Sequence, residues 1–224
     1  MIILDVSANT HKNSMSYVKR MIDELVKVDS RRHEVVIKHQ LFTEAGDNIP
    51  LQLNVFDFAY WYAEQQGYQT TASVFDLDSL RFLLTYDIPF IKIANRPDLY
   101  WLAEEIPREK DEYGNMSNVA LPIISISNQD DISGIIMVNR AMAVLFCVSE
   151  YPATMEQYEQ SFPSMGSLIN LDSATYGISD HTTDFTLYHK YKPEIYECHY
   201  KLSDSTGLDA GSFARTPQAF SEIL

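Results

Sequence analysis

Two lysines interrupt apolar segments of the sequence, and hydroxyl residues occupy similar positions in other segments. Lys38 and Lys92 lie among Val, Ile and Phe, while Ser73 and Ser179 lie in two further runs. A single lysine in such a run usually extends its ammonium group toward solvent. Two lysines in matching positions, with hydroxyl donors beside them, favour a shared pocket for a phosphate or carboxylate group. These four residues therefore predict an anion-binding pocket.

Two histidines follow the last two apolar segments. His181 comes directly after Asp180, and His199 lies two residues after Glu197. One histidine in such a place is more often a satisfied surface or core residue. Two imidazoles at neighbouring strand ends can instead bind one divalent ion and leave other positions for water and substrate. We therefore predict a metal site at His181 and His199.

Short apolar segments must position these side chains. The segments are Ile2–Ser7, Glu34–His39, Gln69–Phe75, Pro89–Ala94, Pro122–Ile126, Ala143–Val148, Ala174–Ile178 and Ile195–Tyr200. Most are continuous runs of Val, Ile, Leu and Phe, which suits parallel strands covered on both faces. Helical periodicity appears between them, as in 16–28 and in 76–84, where Asp76 and Ser79 give a helix start. The alternation predicts a compact (β/α)8 TIM barrel as a single domain over residues 1–224.

The competing architecture is an open doubly wound sheet. That architecture has about five or six strands, and no Gly-x-Gly-x-x-Gly turn follows the first strand here. The chain of 224 residues is short for a barrel, for which about 250 residues are typical. We therefore expect shortened helical connections, with the second and the fifth to seventh helices short or irregular.

The composition is that of an ordinary globular protein. Hydrophobic residues make up 46% and charged residues 21% of the chain, and the net charge is −14. This balance argues against nucleic acid or an anionic membrane as a partner, because both require clustered Lys and Arg. Cys147 and Cys198 lie in apolar runs and are expected to be buried free thiols in a reducing compartment. Since no signal peptide or membrane span is recognisable, we expect a cytoplasmic protein.

In a barrel, the functional side chains collect at the carboxyl ends of the strands. Besides the lysines, serines and histidines already named, these ends carry Asp5, Gln40, Asn95, Ser125, Ser127, Ser149 and Tyr151. A purely structural barrel does not need such a polar ring. The remaining histidines are expected outside it. His39 should point into the barrel wall, whereas the side chains of His11, His33 and His189 should face solvent.

Several further segments stand out along the chain in a fixed order. They are Val-Ile-Lys-His-Gln (36–40), Phe-Asp-Leu-Asp-Ser-Leu (75–80), Ile-Pro-Phe-Ile-Lys-Ile-Ala (88–94), Gly-Ile-Ser-Asp-His-Thr (177–182), Ile-Tyr-Glu-Cys-His-Tyr (195–200) and Gly-Leu-Asp (207–209). This ordered set resembles the sialic acid (N-acetylneuraminate) synthase family, which includes the legionaminic and pseudaminic acid synthases. The resemblance covers the whole barrel but not the family's C-terminal antifreeze-like domain.

The resemblance implies an enzyme that condenses phosphoenolpyruvate with an N-acetylated amino sugar and releases phosphate. It implies that Mn²⁺ or Mg²⁺ is bound by His181 and His199 and acts as a Lewis acid on the sugar aldehyde. Phosphoenolpyruvate would be bound by Lys38, Ser73, Lys92 and Ser179. The other implied catalytic or sugar-contacting residues are Asp5, Gln40, Tyr151 and Asp209. Asp180 and Glu197 would orient the histidines or the polar ring.

The sequence also departs from the family pattern. Asp5 stands where the family has a glutamate. After the fourth strand the family reads Lys-Ile-Gly-Ser-Gly-Glu, whereas residues 92–97 read Lys-Ile-Ala-Asn-Arg-Pro. Pro97 thus replaces a catalytically important glutamate, and Asp98 could substitute for it only if the loop shifts. A sixth-strand asparagine of the family appears as Ser149.

These departures leave alternatives open. A synthase acting on a related aldose is favoured, and the main alternative is an inactive synthase-like barrel that serves as a binding or structural protein. An aldolase or lyase that forms a Schiff base on a lysine is a further enzyme class. The partners are expected to be small molecules. A homodimer is possible through an aromatic set that is otherwise the core face of the second helix: Phe56, Phe58, Tyr60, Trp61 and Tyr62.

Overall fold

Eight parallel strands close into a barrel in the computed structural model, which describes residues 1–41, 46–110, 116–128, 143–168 and 175–224. The strands of the described residues are β1 Ile2–Asp5, β2 Val35–Leu41, β3 Gln69–Val74, β4 Ile91–Ile93, β5 Arg108–Lys110, β6 Met116–Asn118, β7 Pro122–Ile126, β8 Ala143–Cys147, β9 Thr175–Asp180 and β10 Ile195–His199. The barrel order is β1-β10-β9-β8-β7-β4-β3-β2. The predicted TIM barrel is therefore confirmed.

Helices alternate with the barrel strands on the outside. The α-helices are α1 Ala8–His11, α2 Met15–Val28, α3 Leu53–Gln65, α4 Leu77–Leu83, α5 Met155–Ser161, α6 Met165–Leu168, α7 Thr186–Tyr191 and α8 Pro217–Phe220. Short 3-10 helices cover Arg32–Glu34, Pro97–Ala103 and Leu208–Ala210. None of the helices in these described ranges has the length and apolar character that a membrane crossing requires.

The two predicted helices form for the reasons that their sequences suggest. α2 buries Val18, Met21, Ile22 and Leu25, which recur at the spacing of one helical face. α4 begins with a capping box in which the Asp76 side chain accepts a hydrogen bond from the Ser79 backbone N–H at 2.7 Å. The buried apolar face of α2 and the capping box of α4 account for these two elements.

Other connections differ from the predictions. The helix after β2 is α3, with 13 residues, so the expectation that the second helix is short or irregular was wrong. It carries the aromatic set, but Trp61 is 52% exposed while Phe56 and Tyr60 are buried. β5 and β6 form an antiparallel pair that was not predicted. The fifth barrel helix would fall mostly at 129–142, outside the described residues.

The barrel interior has an apolar end and a polar end. The apolar layer consists of Ile3, Val36, Phe90, Ile123, Ala143, Leu145 and Ile195. Gly177 completes it, because a Cβ atom there would lie 2.3 Å from the Ile195 carbonyl oxygen. Two residues further along each strand, where the side chain again points inward, most of these apolar residues are followed by polar ones. The core therefore closes the amino-terminal end and leaves the polar ring at the carboxyl end.

The burial of the two cysteines and of three further histidines can be compared with the predictions. Cys147 and Cys198 are buried and unpaired, as predicted. His189 is exposed and lies 2.6 Å from Glu222, also as predicted, whereas the side chain of His33 lies outside the described part of the chain. His11 is buried, so the expectation that it faces solvent was wrong. It is the last residue of α1, which packs against residues 208–210.

His11 and His39 form a buried pair outside the barrel wall. Their ring centroids are 6.2 Å apart, and His39 also packs edge-on against Phe56. None of their four ring nitrogens has a hydrogen-bond partner among the described residues. Burial lowers the pKa of His11 to about 4 and that of His39 to about 3. Both imidazoles are therefore neutral at physiological pH.

This pair predicts a specific pH dependence of stability. The unfolded histidines have a pKa of about 6.5, so between that pH and the folded pKa values the unfolded state binds more protons. The free energy of unfolding should therefore fall as pH drops below about 6.5 and level off above it. In urea titrations at pH 7 and pH 5, His39→Leu or His11→Leu should each reduce the difference between the two pH values by about 2 kcal/mol. His189→Leu is the exposed control, and an equal effect in that variant would contradict the assignment.

Candidate active site

One cavity of about 510 Å³ opens at the carboxyl ends of the barrel strands. All the residues predicted for phosphoenolpyruvate, metal, sugar and catalysis line it: Asp5, Lys38, Gln40, Ser73, Lys92, Tyr151, Ser179, His181, His199 and Asp209. Asn95, Ser125 and Ser149 of the predicted ring line it as well. Lining residues that the sequence did not single out for this site are Asn48, Phe75, Cys147, Leu208 and Phe213.

Glu197 lies between the two lysines at the bottom of this cavity. Its Oε2 is 3.4 Å from Lys38 Nζ, and its Oε1 is 3.5 Å from Lys92 Nζ. Ser179 Oγ donates a hydrogen bond to Glu197 Oε1 at 2.7 Å. All three charged side chains are at most 5% exposed. Glu197 was expected to orient the histidines or the polar ring, and its contacts place it between the two lysines of that ring.

The two lysines differ in their other partners. Lys38 Nζ lies 2.7 Å from Asp5 Oδ2 and also donates a hydrogen bond to Ser73 Oγ at 2.9 Å. Lys92 Nζ donates to Ser125 Oγ at 2.7 Å and has Glu197 as its carboxylate partner. Asp5 is in turn bound by Gln40, whose Nε2 donates to Oδ1 at 3.0 Å. Lys38 thus has two carboxylates and Lys92 has one.

This difference determines the protonation of the cluster. Burial would lower the pKa of Lys38, but Asp5 and Glu197 together raise it above its ordinary value. The pKa of Lys92 is lowered, because burial outweighs the single charge of Glu197. Burial would raise the pKa of Glu197, but the charges of Lys38 and Lys92 lower it to about 2. The cluster is therefore a set of alternating charges around a space that an anion can enter.

The histidine pair lies beside this cluster, on the neighbouring strands β9 and β10. The His181 and His199 ring centroids are 5.4 Å apart. His181 Nδ1 lies 2.6 Å from the Val148 carbonyl oxygen, so this nitrogen carries the proton and leaves the Nε2 lone pair for a ligand. Burial lowers the pKa of His181 to about 3, which keeps the ring neutral. The His199 Nδ1 atom has no hydrogen-bond partner in the described parts of the chain.

These features fit two ligands of a divalent ion. Neutral imidazoles with available lone pairs are the form that binds metals. The described residues contain no group of three or more His, Cys, Asp or Glu side chains arranged for a metal. An ion held by His181 and His199 would therefore take its remaining ligands from water and substrate. The ring of Tyr151, with its centroid 4.2 Å from that of His181, partly covers the pair.

Asp209 reaches the cavity through a network that the sequence analysis missed. Asp209 Oδ1 lies 3.6 Å from His199 Nδ1. The buried Asn9 side chain donates to Asp209 Oδ2 at 2.5 Å and to Asn48 Oδ1 at 2.8 Å, and it accepts from the Ile49 N–H. Three separate loops are thereby held together by one amide. The position of Asn9, four residues after Asp5 at the end of β1, was the available signal, but its partners are distant in sequence.

Two predicted carboxylates lie outside the cavity. Asp180 points away from it and forms a buried ion pair with Arg215 at 2.8 Å, so it supports the barrel wall rather than the polar ring. Asp98 is exposed and is bound by Arg96, with Nη2 to Oδ2 at 2.7 Å. It does not line the cavity, and Pro97 begins a 3-10 helix there. No side chain of the described residues restores the glutamate that Pro97 replaces.

Comparisons with known proteins agree with this geometry. A model described as the NeuB family matches residues 22–222. The N-acetylneuraminic acid (sialic acid) synthetase from Leptospira borgpetersenii serovar Hardjo-bovis, solved in complex with citrate, is 20% identical with a TM-score of 0.75, covering 99% of this chain and 80% of that chain. The putative spore coat polysaccharide biosynthesis protein E from Chromobacterium violaceum is 16% identical with a TM-score of 0.78, covering 99% and 71%.

A more distant structure shares the barrel. A truncated 3-deoxy-D-arabino-heptulosonate 7-phosphate synthase from Thermotoga maritima is 10% identical with a TM-score of 0.63, covering 99% of this chain and 82% of that chain. At such identities the structural similarity shows a common fold. No curated protein matches the chain in sequence. The assignment to a family therefore rests on the match to the family model.

The position of Glu197 predicts that the charge cluster is an interdependent unit. Glu197→Gln removes the only carboxylate near Lys92 among the described residues and should lower the free energy of unfolding by about 3–5 kcal/mol, as for other buried pairs that lose one partner. Urea unfolding measures this change. Added inorganic phosphate should recover part of the loss, because its charge can replace the carboxylate beside the lysines.

The matched control is an exposed ion pair. Glu159 is 43% exposed and pairs with Lys190, so Glu159→Gln should change the free energy of unfolding little and should not respond to phosphate. Equal losses in the two variants, or no response of Glu197→Gln to phosphate, would contradict the proposed charge balance.

Proposed function

The chain belongs to the NeuB family, and from that premise we propose that it is a synthase that condenses phosphoenolpyruvate with an N-acetylated amino sugar or a related aldose. The product would be a nonulosonic acid, and inorganic phosphate would be released. The observation that carries the proposal is the juxtaposition of two buried, carboxylate-balanced lysines with the His181–His199 pair in one cavity.

Lys38, Ser73, Lys92 and Ser179 would bind the phosphate and carboxylate of phosphoenolpyruvate. Their side chains are already held in place by hydrogen bonds to each other and to neighbouring groups. Because Asp5 and Glu197 compensate the lysines before substrate arrives, the site needs little rearrangement to accept an anion. Such preorganised charges are the main source of electrostatic stabilisation in enzymes.

His181 and His199 would hold Mn²⁺ or Mg²⁺, which supplies Lewis-acid chemistry when bound. In the reaction, C3 of phosphoenolpyruvate would form a bond to the aldehyde carbon, water would add to C2, and phosphate would leave. Gln40, Tyr151 and Asp209 face the remaining part of the cavity and would contact the sugar. We place the reaction in the cytoplasm, where the free thiols of Cys147 and Cys198 stay reduced.

Two alternatives have specific support. The replacement of a glutamate by Pro97, with Asp98 turned to solvent, favours a barrel that binds phosphoenolpyruvate without turnover. The lowered pKa of Lys92 favours a lyase that forms a Schiff base, since such lysines must be deprotonated. The hydroxyl donors around both lysines suit anion binding better than imine formation.

The first expected outcome is release of phosphate from phosphoenolpyruvate in the presence of Mn²⁺ and one sugar from a panel of N-acetylated and plain aldoses. Release should require both the metal and the sugar, and Lys92→Ala should reduce it at least about tenfold, which corresponds to about 1.4 kcal/mol. Absence of release together with calorimetric binding of phosphoenolpyruvate would establish the non-catalytic alternative. Borohydride trapping of a keto acid on Lys92 would establish the lyase.

The second expected outcome concerns the metal. The double variant His181→Ala, His199→Ala should lose Mn²⁺ binding measured by electron paramagnetic resonance, because it removes both imidazole ligands. Its circular dichroism spectrum should stay unchanged. His189→Ala removes an exposed histidine and should bind Mn²⁺ as the parent does. Unchanged Mn²⁺ affinity in the double variant would rule out this site.

A further inference from the structure

The cavity wall that follows β4 carries a cation of a different kind from the two lysines. Arg96 lines the cavity with its side chain 56% exposed, whereas the Lys38 and Lys92 side chains are 3% and 2% exposed. Of the lysines and arginines in the described lining, Arg96 alone is open to solvent. It therefore lies at the rim, where a ligand that extends out of the buried centre would pass.

The carboxylate partner of Arg96 is weakly held. Arg96 Nε and Nη2 contact Asp98 Oδ1 and Oδ2 at 2.9 and 2.7 Å, in a bidentate pair. Asp98 is 59% exposed and does not line the cavity. Exposed ion pairs of this type contribute little to stability, because water screens the charges. An anionic group on a ligand could therefore replace Asp98 at little cost and would keep the same fork geometry.

The side-chain oxygen of the neighbouring residue, Asn95, receives no hydrogen bond from the described residues. Asn95 Nδ2 donates to Ser149 Oγ at 2.9 Å, which fixes the amide against the sixth barrel strand's end. Asn95 Oδ1 is buried and has no partner among the described residues. A buried acceptor without a donor is destabilising, and a hydroxyl or amide N–H of a ligand would satisfy it. Asn95 and Arg96 are therefore suited to a ligand that carries an anionic group together with a hydrogen-bond donor. The donor would be a hydroxyl or an amide N–H.

We propose that the acceptor of this site is an anionic sugar, bearing a phosphate monoester or a carboxylate that Arg96 binds while Asn95 accepts a hydrogen bond from its hydroxyl or amide. The inference rests on the proposed function, since it names the acceptor class of the same cavity. The overall charge of −14 disfavours anionic ligands at the surface, so a dedicated cation at the rim is required to bind one. The buried lysines cannot serve, because phosphoenolpyruvate would occupy them.

The test compares matched sugars by calorimetry on the full chain with saturating phosphoenolpyruvate and EDTA, so that no turnover occurs. The probes are N-acetylmannosamine with its 6-phosphate, and galactose with galacturonate, which separate phosphate from carboxylate. At least one anionic probe should bind about tenfold or more tightly than its neutral counterpart. Arg96→Gln should remove that preference, and Asp98→Asn should strengthen it severalfold by releasing Arg96. Neutral sugars should bind the three proteins equally.

Arg20 provides the control. Its Nη2 donates to both carboxylate oxygens of Asp204, at 2.8 and 2.6 Å, and its side chain is 46% exposed, but it does not line this cavity. Arg20→Gln should therefore leave all affinities unchanged. A preference for neutral probes, a preference that survives Arg96→Gln, or no binding of any probe would overturn the inference.

The outcome can be separated from that of the proposed function. Phosphate release with a neutral amino sugar, unaffected by Arg96→Gln, would keep the synthase and reject the anionic acceptor. An Arg96-dependent preference for an anionic probe without phosphate release from phosphoenolpyruvate in Mn²⁺ would keep the binding site and reject turnover.

Discussion

The Glu197 carboxylate allows two lysine side chains to be buried inside this barrel. It lies within 3.4–3.5 Å of Lys38 and Lys92, both almost completely buried. Two ammonium groups in such a place would repel each other and lose much of their hydration, at a cost of several kcal/mol per ion. With Glu197 between them and Asp5 on the far side of Lys38, positive and negative charges alternate. The centre can therefore exist in the folded protein before any substrate binds.

The sequence was sufficient to predict which residues share this cavity, because side chains two positions apart on a strand point the same way. Along β10 the inward positions are Ile195, Glu197 and His199, running from the apolar plug to the open end. The partners of Glu197 were not predictable. It was expected to orient the histidines or the polar ring without a named partner, and its ion pairs cross the barrel to Lys38 on β2 and Lys92 on β4. Such contacts depend on strand register and barrel tilt, which residue spacing within one strand does not reveal.

Outside the barrel the sequence predicted less. Continuous apolar runs located all eight barrel strands, but chain length alone could not show which connections are short, and the helix after β2 is a long one. His11 was expected to face solvent. It is buried because the Asn9 side chain, in the same helix, forms all its hydrogen bonds with partners in two later loops. These bonds hold the helix, and His11 with it, in the interior. A polar segment can be core when its hydrogen bonds are satisfied by distant residues.

The buried charge cluster and the exposed residues at the cavity rim give different kinds of evidence about function. Removing one charge from the centre would leave others buried and unpaired, so stability alone gives the fold a reason to keep Lys38, Lys92 and Glu197 together. Their presence is therefore weaker support for turnover than it first suggests. Arg96 and Asn95 are different: the Arg96 pair is exposed and adds little stability, and the Asn95 acceptor is left without a donor. Folding gives no reason for either, so ligand binding is the better explanation of the rim.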